Sequence, residues 1–368
     1  MFIIAVDTCA YTTAFSVFDA EARQVMYSKV LAHSVPFENY EADLILPWLH
    51  RRTLSRFTRE YNWKSLVPHA NRPVYCAVSS PSGLQRSVRC GEKYCNTVLQ
   101  KFIPVDSVLP IDHALGHVVS AFIEQEAAVT FPLLVFSASA AHTSVIYFRT
   151  IDDNAVLFEG VPYCMVQGSS VPCGLGKIYY LVIKRLLHKY AGEAGKNDFT
   201  HFDVLVSHGM PKHKNELLGK ITSRMRFDCC SFLLLIEELL HRDSVVKKED
   251  VACSFYEAFG DLCIKHLEGF FTLYDVAQIH LCGGIANNRY IVKELEERFN
   301  KKVLIPKQQY RHDNAAMIAY AGYLTMKRGL RLHMKEDVTY EPAFDTLLKR
   351  ARNAYCRVFG TSKRTGLC

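Results

Sequence analysis

Two stretches of this chain follow one plan, and that repeat limits what it can build. Residues 2–18 read as an apolar strand, a small polar turn (Asp7-Thr8-Cys9-Ala10-Tyr11-Thr12-Thr13) and a second strand. Residues 132–148 repeat the plan: strand 133–136, turn 137–143, strand 144–148, with Thr13 and Thr143 at equivalent places. A repeat at so wide a separation implies duplicated lobes; solenoid units recur every 20–50 residues or so. The 368 residues are too many for one core and suit two lobes. Each hairpin is followed by alternating strands and helices, which predicts an α/β architecture. Strands are expected at 73–78, 108–111, 277–282 and 303–305. Helices are expected at 113–123 and 288–299, the latter with Ile291, Val292, Leu295 and Phe299 on one face. The expected lobes are residues 1–128 and 129–330, with a basic tail at 331–368.

Composition narrows the class. Apolar residues make up 49% and charged residues 22%, so the chain folds. The net charge of +7 is compatible with nucleic acid without pointing to it. Thirteen cysteines include no CxxC pair, which argues against a zinc ribbon or a secreted disulfide framework and for reduced, buried thiols. The start lacks the basic residues and long apolar run of a leader. The apolar run 229–236 ends at Glu237-Glu238 and is too short to span a bilayer. A soluble cytoplasmic protein is expected. Segment 50–64 carries Arg51, Arg52, Arg56, Arg59 and Lys64. The tail after Asp345 has no acid but carries Lys349, Arg350, Arg352, Arg357, Lys363 and Arg364. Both fit either solvated surfaces or contact with nucleic-acid phosphates.

Several residues carry chemistry. His113 and His117 stand four apart on one helix, so their rings share a face and suit one metal ion, or else pack as ordinary histidines. Gly116 removes bulk beside the pair. Asp313 is either a third, oxygen ligand or the N-cap of a helix beginning at Asn314. A His-His-Asp set suits iron, zinc or manganese. Gly283-Gly284 lies between a strand and a helix, where glycine lets backbone approach a nucleotide or simply permits a tight turn. Asn288 can bond a ribose or base edge. Small residues at 139–143 leave room for a ligand, with Ser139 and Thr143 as polar contacts. Asp7, at the end of the first strand, either orients a metal or water, as catalytic acids do, or forms the turn.

These pieces occur in one order: Asp7-Thr8, His-Ala-Leu-Gly-His at 113–117, Ser-Ala-Ala-His-Thr at 139–143, Gly-Gly-Ile-Ala-Asn-Asn at 283–288, and Asp-Asn-Ala-Ala-Met-Ile-Ala-Tyr-Ala-Gly at 313–322. The set resembles the TsaD/Gcp family, whose archaeal and eukaryotic members serve in the KEOPS complex. The resemblance spans about residues 1–330 and is thin between 150 and 245. It implies two tandem RNase H-like lobes of the actin/Hsp70-like ATPase superfamily, with a cleft between them. It implies transfer of threonylcarbamoyl from threonylcarbamoyl-AMP, an ATP-derived nucleotide, to the adenosine beside the anticodon of tRNA. His113, His117 and Asp313 become ligands of one divalent metal, iron or zinc. Ser137, Ala138, Ser139, Ala140, Ala141 and Asn288 become adenylate contacts, beside Gly283 and Gly284. Partners of TsaB/TsaE or KEOPS type are implied, with no membrane. The chain departs from the family at Ala140-Ala141, where Gly-Gly is usual, and at Tyr11-Thr12, where acids are usual. Pro172-Cys173-Gly174-Leu175-Gly176 with Tyr179-Tyr180 resembles the O-carbamoyltransferases of the same fold. A non-catalytic partner subunit on this fold is the other alternative.

Overall fold

The strand β1 (Phe2–Asp7) is apolar on both faces: Ile3 and Ala5 pack to one side, Phe2, Ile4 and Val6 to the other. Such a strand belongs in the middle of a covered sheet. It pairs antiparallel with β2 (Thr12–Asp19), which pairs with β3 (Gln24–Ala32), and parallel with β4 (Val74–Ser80), which pairs with β5 (Ser107–Asp112). Helices α1 (Tyr40–Glu60) and α2 (Gln85–Thr97) join these strands, and α3 (His113–Val119) follows β5. The computed structural model describes residues 1–8, 12–33, 40–63, 72–80, 85–138, 143–150, 155–158, 163–166, 169–172, 175–188, 198–219, 229–241, 246–330 and 332–334.

The second half begins with β6 (Leu133–Ala138), β7 (Thr143–Phe148) and β8 (Ala155–Phe158). A ribbon of β9 (Tyr163–Val166) and β10 (Ser169–Pro172) comes next. Helices α4 (Leu175–His188), α5 (Asp198–Ser207), α6 (Lys214–Gly219), α7 (Cys229–His241) and α8 (Lys248–Leu273) lead to β11 (Gln278–Cys282). The chain continues through α9 (Arg289–Phe299), β12 (Lys302–Leu304), α10 (Ala315–Arg328) and β13 (Leu332–Met334).

The first sheet runs β3-β2-β1-β4-β5 and the second β12-β11-β6-β7-β8-β13. Within the second, β8-β7-β6-β11-β12 reproduces the first: three antiparallel strands, then two parallel ones. These are two RNase H-like lobes. The pairings Asp7↔Ala14 and Ser137↔Ser144 put Thr13 and Thr143 at the same register position, as the repeat implied.

The second half reaches back onto the first sheet. Helix α10 packs on the first sheet: Gly322 lies where a Cβ would be 3.1 Å from Ala77 Cβ, and the Tyr320 ring sits 5.6 Å from Phe18. One core joins Ile3, Ala5 and Phe18 to Leu133, Val135 and Ile146 through the buried run Ala315 to Leu324. Strand β13 extends the second sheet, so the expected tail at 331–368 contributes three residues to the fold; Lys349, Arg350, Arg352, Arg357, Lys363 and Arg364 lie outside the described residues. Arg51, Arg52, Arg56 and Arg59 are exposed on α1, whereas His50 is buried against Thr13, 2.7 Å from its hydroxyl. Lys64 lies outside the described residues. Cys76, Cys90, Cys95, Cys253, Cys263 and Cys282 are free thiols, and burial pushes that of Cys282 up to about 12.

His280 on β11 is fully buried, its ring 6.0 Å from Phe122. Burial holds it neutral, with its pKa lowered to about 3. Above pH 6.5 the folded and unfolded chains are both neutral here, and stability is unaffected. As pH falls from 6.5 toward 3, only the unfolded chain takes the proton, which costs the fold about 1.4 kcal/mol per pH unit. His280→Leu is therefore expected to lose about 2 kcal/mol less than the native chain between pH 7.5 and 5. Denaturant melts at the two pH values check this; equal losses would refute it.

Candidate metal centre

Asp112 ends β5 and starts α3: its carboxylate accepts the Ala114 backbone N–H at 2.8 Å, an N-cap that fixes where the helix begins. His113 is thus the first helical residue and His117 lies one turn later, both buried. Their Nε2 atoms stand 3.1 Å apart, with ring centroids 4.7 Å apart and planes at 84°. Gly116 brings the helix in. A Cβ there would meet Ile318 Cδ1 at 2.9 Å and Met317 Cγ at 3.0 Å, so the glycine lets α3 press against α10.

Asp313 stands just before α10, and here the two sequence readings separate. Asn314, not Asp313, caps the helix: its Oδ1 accepts the Met317 N–H at 2.9 Å and its Nδ2 donates to the His312 carbonyl at 2.7 Å. Asp313 is left to face the histidines, with Oδ1 3.2 Å from His117 Nε2 and 3.5 Å from His113 Nε2. Burial opposes its ionisation, but the hydrogen bonds and charge of His113 and His117 outweigh that and hold the carboxyl well below its usual range. Behind His113, Asp7 Oδ2 lies 3.5 Å from Nδ1 and is fully buried.

These three residues fit a metal. Ligands about 2.0–2.2 Å from one ion, on adjacent tetrahedral or octahedral vertices, stand roughly 3.0–3.5 Å apart. The three contacts measured here fall in that interval. Among the described residues, His113, His117 and Asp313 form the one group of metal-ligating type. His312 stays outside it: it is exposed, with its ring 5.2 Å from Phe199.

The remaining candidates gather where strands end. Ser137 and Cys282 are parallel partners, so β6 and β11 finish side by side. That brings Ser137-Ala138 next to Gly283-Gly284, at the carboxyl ends where α/β sheets hold ligands. Gly283 has φ +82°, which a side chain rarely adopts, and the 3₁₀ turn Gly284–Asn287 follows. Ser139, Ala140 and Ala141 lie outside the described residues. Asn288 stands just after that turn. It is fully buried, its Oδ1 accepting the Ile291 N–H at 3.1 Å as the cap of α9 and its Nδ2 donating to the Tyr256 carbonyl at 3.1 Å. The side chain serves the turn from inside. Thr143 likewise accepts the Leu175 N–H at 2.8 Å, at the start of α4. Asp112 was not singled out from the sequence, although an acid directly before the histidine helix is a legible N-cap signal.

Residues 77–320, about two thirds of the chain, match the model of TsaD, described as tRNA N6-adenosine threonylcarbamoyltransferase. The chain belongs to the TsaD family. The matched stretch contains His113, His117 and Asp313; Asp7 precedes it. Relatives bearing the same description include that of Carboxydothermus hydrogenoformans, 28% identical over 59% of this chain and 61% of its own length. That of Malacoplasma penetrans is 27% identical over 67% and 74%, and that of Bacillus licheniformis 26% over 64% and 65%. The match thus spans roughly two thirds or less of most of these relatives. Among solved structures, the activator of the 2-hydroxyisocaproyl-CoA dehydratase from Clostridium difficile with bound ADPNP aligns over 92% of this chain and 100% of its own, at 9% identity and a TM-score of 0.49. Among the described residues, no helix is long and apolar enough to cross a membrane.

Proposed function

We propose that this chain transfers a threonylcarbamoyl group from threonylcarbamoyl-AMP to the N6 amine of the adenosine beside the anticodon of tRNA. The observation that carries the reading is the convergence of His113, His117 and Asp313, inside the stretch that matches the family. One divalent ion, iron or zinc, held by these three would supply Lewis-acid polarisation of the carbamoyl group. Asp7 Oδ2, 3.5 Å from His113 Nδ1, puts a carboxylate behind that ring and favours the tautomer that leaves Nε2 open toward the ion. Ser137 to Ala141 and the Gly283-Gly284 turn receive the adenylate, with glycine backbone approaching its phosphate. Asn288 keeps that turn in shape from the core. Fixing the adenylate beside the acceptor amine removes much of the entropic barrier, since adenylate is already a good leaving group. Protein partners are of TsaB/TsaE or KEOPS type, and the protein works in the cytoplasm on tRNA.

The test is to supply this gene, with each partner set, to cells depleted of their own TsaD-type enzyme and to digest their tRNA for mass spectrometry. Restored threonylcarbamoyladenosine is expected. Soluble protein with no nucleoside under either partner set would reject the reading. Asp7→Asn offers a graded check: it leaves the three ligands in place but weakens the hold on His113, so metal affinity falls about 10–100-fold. Unchanged affinity in a metal titration would remove Asp7 from this role.

A further inference from the structure

Beside the metal centre lies a cavity of about 590 Å³ that none of the roles above uses. It is walled by α5, the Gly284–Asn287 turn, α9 and the loop leading to Asp313. Its lining includes Phe199, Asp203, Asn287, Arg289 and Arg311. Arg311 is two residues before Asp313, and the Phe199 ring touches His312, so one end of the cavity adjoins the ligand loop.

Two guanidinium groups and one carboxylate, Asp203, line that end. Arg311 is held in place by Nε donating to the Pro306 carbonyl at 3.0 Å and NH1 donating to Asn287 Oδ1 at 3.1 Å. Among the described residues neither Arg289 nor Arg311 forms an ion pair. Asp203 lines the same space but is one carboxylate against two guanidinium groups; burial raises its pKa, and the arginines pull it back down. Farther along α9 the same cavity is lined by Lys293, Glu296 and Glu297: Glu297 pairs with Lys293 at 3.8 Å, and Glu296 accepts the Val303 N–H at 3.2 Å. Two guanidinium groups at one end of this space, with the single carboxylate of Asp203 beside them and the α9 acids Glu296 and Glu297 farther along the helix, favour an anion between them. An aromatic ring beside them supplies a face on which a base can stack.

We propose that this cavity is an RNA subsite that takes one nucleotide from the single-stranded loop of the tRNA substrate, its phosphate on Arg289 and Arg311 and its base on Phe199. The proposal rests on the functional reading above. It adds a second hold on the loop, next to the nucleotide that reacts. Arg311 acts as a fork preset by Asn287, whose Nδ2 is itself tied to the Gly284 carbonyl at 3.1 Å.

The experiment measures the affinity of the full chain for unmodified tRNA across a salt series, alongside its affinity for AMP. Arg289→Ala, a change at an exposed side chain, and Arg311→Ala are each expected to weaken tRNA binding about tenfold. Each should also flatten the salt slope by about 0.7. Phe199→Leu weakens binding at an unchanged slope, because stacking releases no counterions. Native affinity and slope in both arginine variants, with native protein that binds tRNA, would overturn this site alone. Weakened AMP binding with unchanged tRNA binding would give the cavity to the adenylate and overturn it as well. Native protein that binds no tRNA would count against the functional reading and this site together.

Discussion

Replacing His117 with alanine is expected to empty the metal centre and abolish threonylcarbamoyladenosine formation while the fold survives. His117 Nε2 is the atom that stands nearest both other ligands, 3.1 Å from His113 and 3.2 Å from Asp313. Its loss leaves one imidazole and one carboxylate, too few to hold a divalent ion against water. Losing an outer-shell partner already costs about 10–100-fold in affinity, so losing a ligand should cost on the order of a hundredfold or more. The fold survives because α3 keeps its Asp112 cap and the Gly116 contact with α10. Two measurements separate site from scaffold. Elemental analysis of purified protein should find metal in the native chain and none in the variant. Added metal should raise the native melting temperature, since a ligand that binds only the folded state stabilises it, and leave the variant unmoved. A variant that retained full metal content, or that restored the nucleoside fully, would sink the ligand assignment.

The sequence disclosed the duplicated hairpin because its apolar strands and polar turns repeat locally. It disclosed His113 and His117 because a four-residue spacing on a helix is itself a geometric statement. Asp313 could not be settled in this way. Asp313 and Asn314 are both good caps, and the bond that the Met317 N–H donates to Asn314 Oδ1 leaves Asp313 to face the histidines. Asn288 poses the complementary question. A side chain able to bond a ribose is equally able to cap a helix, and here it caps α9 from the core. Chain order does not reveal that α10 returns to the first sheet. The contacts that send it there, Gly322 on Ala77 and Tyr320 on Phe18, join residues far apart in sequence. Between 150 and 245 the helices are apolar and lack motifs, so periodicity predicted no roles there, although Phe199 and Asp203 on α5 line the cavity beside the metal centre.

Two glycine-to-alanine changes in one lobe are expected to act in opposite directions. Gly209 follows α5 and lies against the first turn of α8. A Cβ there would stand 1.9 Å from the Glu249 carbonyl oxygen and 2.3 Å from its carbon. Both are backbone atoms, so no rotamer change relieves the clash, and the loop must move away from the helix. That movement would break the bond from the Met210 N–H to Asp250 Oδ1 at 2.9 Å and from the His213 N–H to Ser254 Oγ at 2.9 Å. With two partly buried bonds strained and packing opened, Gly209→Ala should cost about 3 kcal/mol or more. Gly269 lies near the end of α8, exposed, where an added Cβ would meet nothing within 4 Å. There alanine lowers the entropy of the unfolded chain and suits the helix, so Gly269→Ala should stabilise by about 0.5–1 kcal/mol. Denaturant midpoints of the two variants decide the matter. A neutral Gly209→Ala would mean that the α5–α6 loop is not seated on α8.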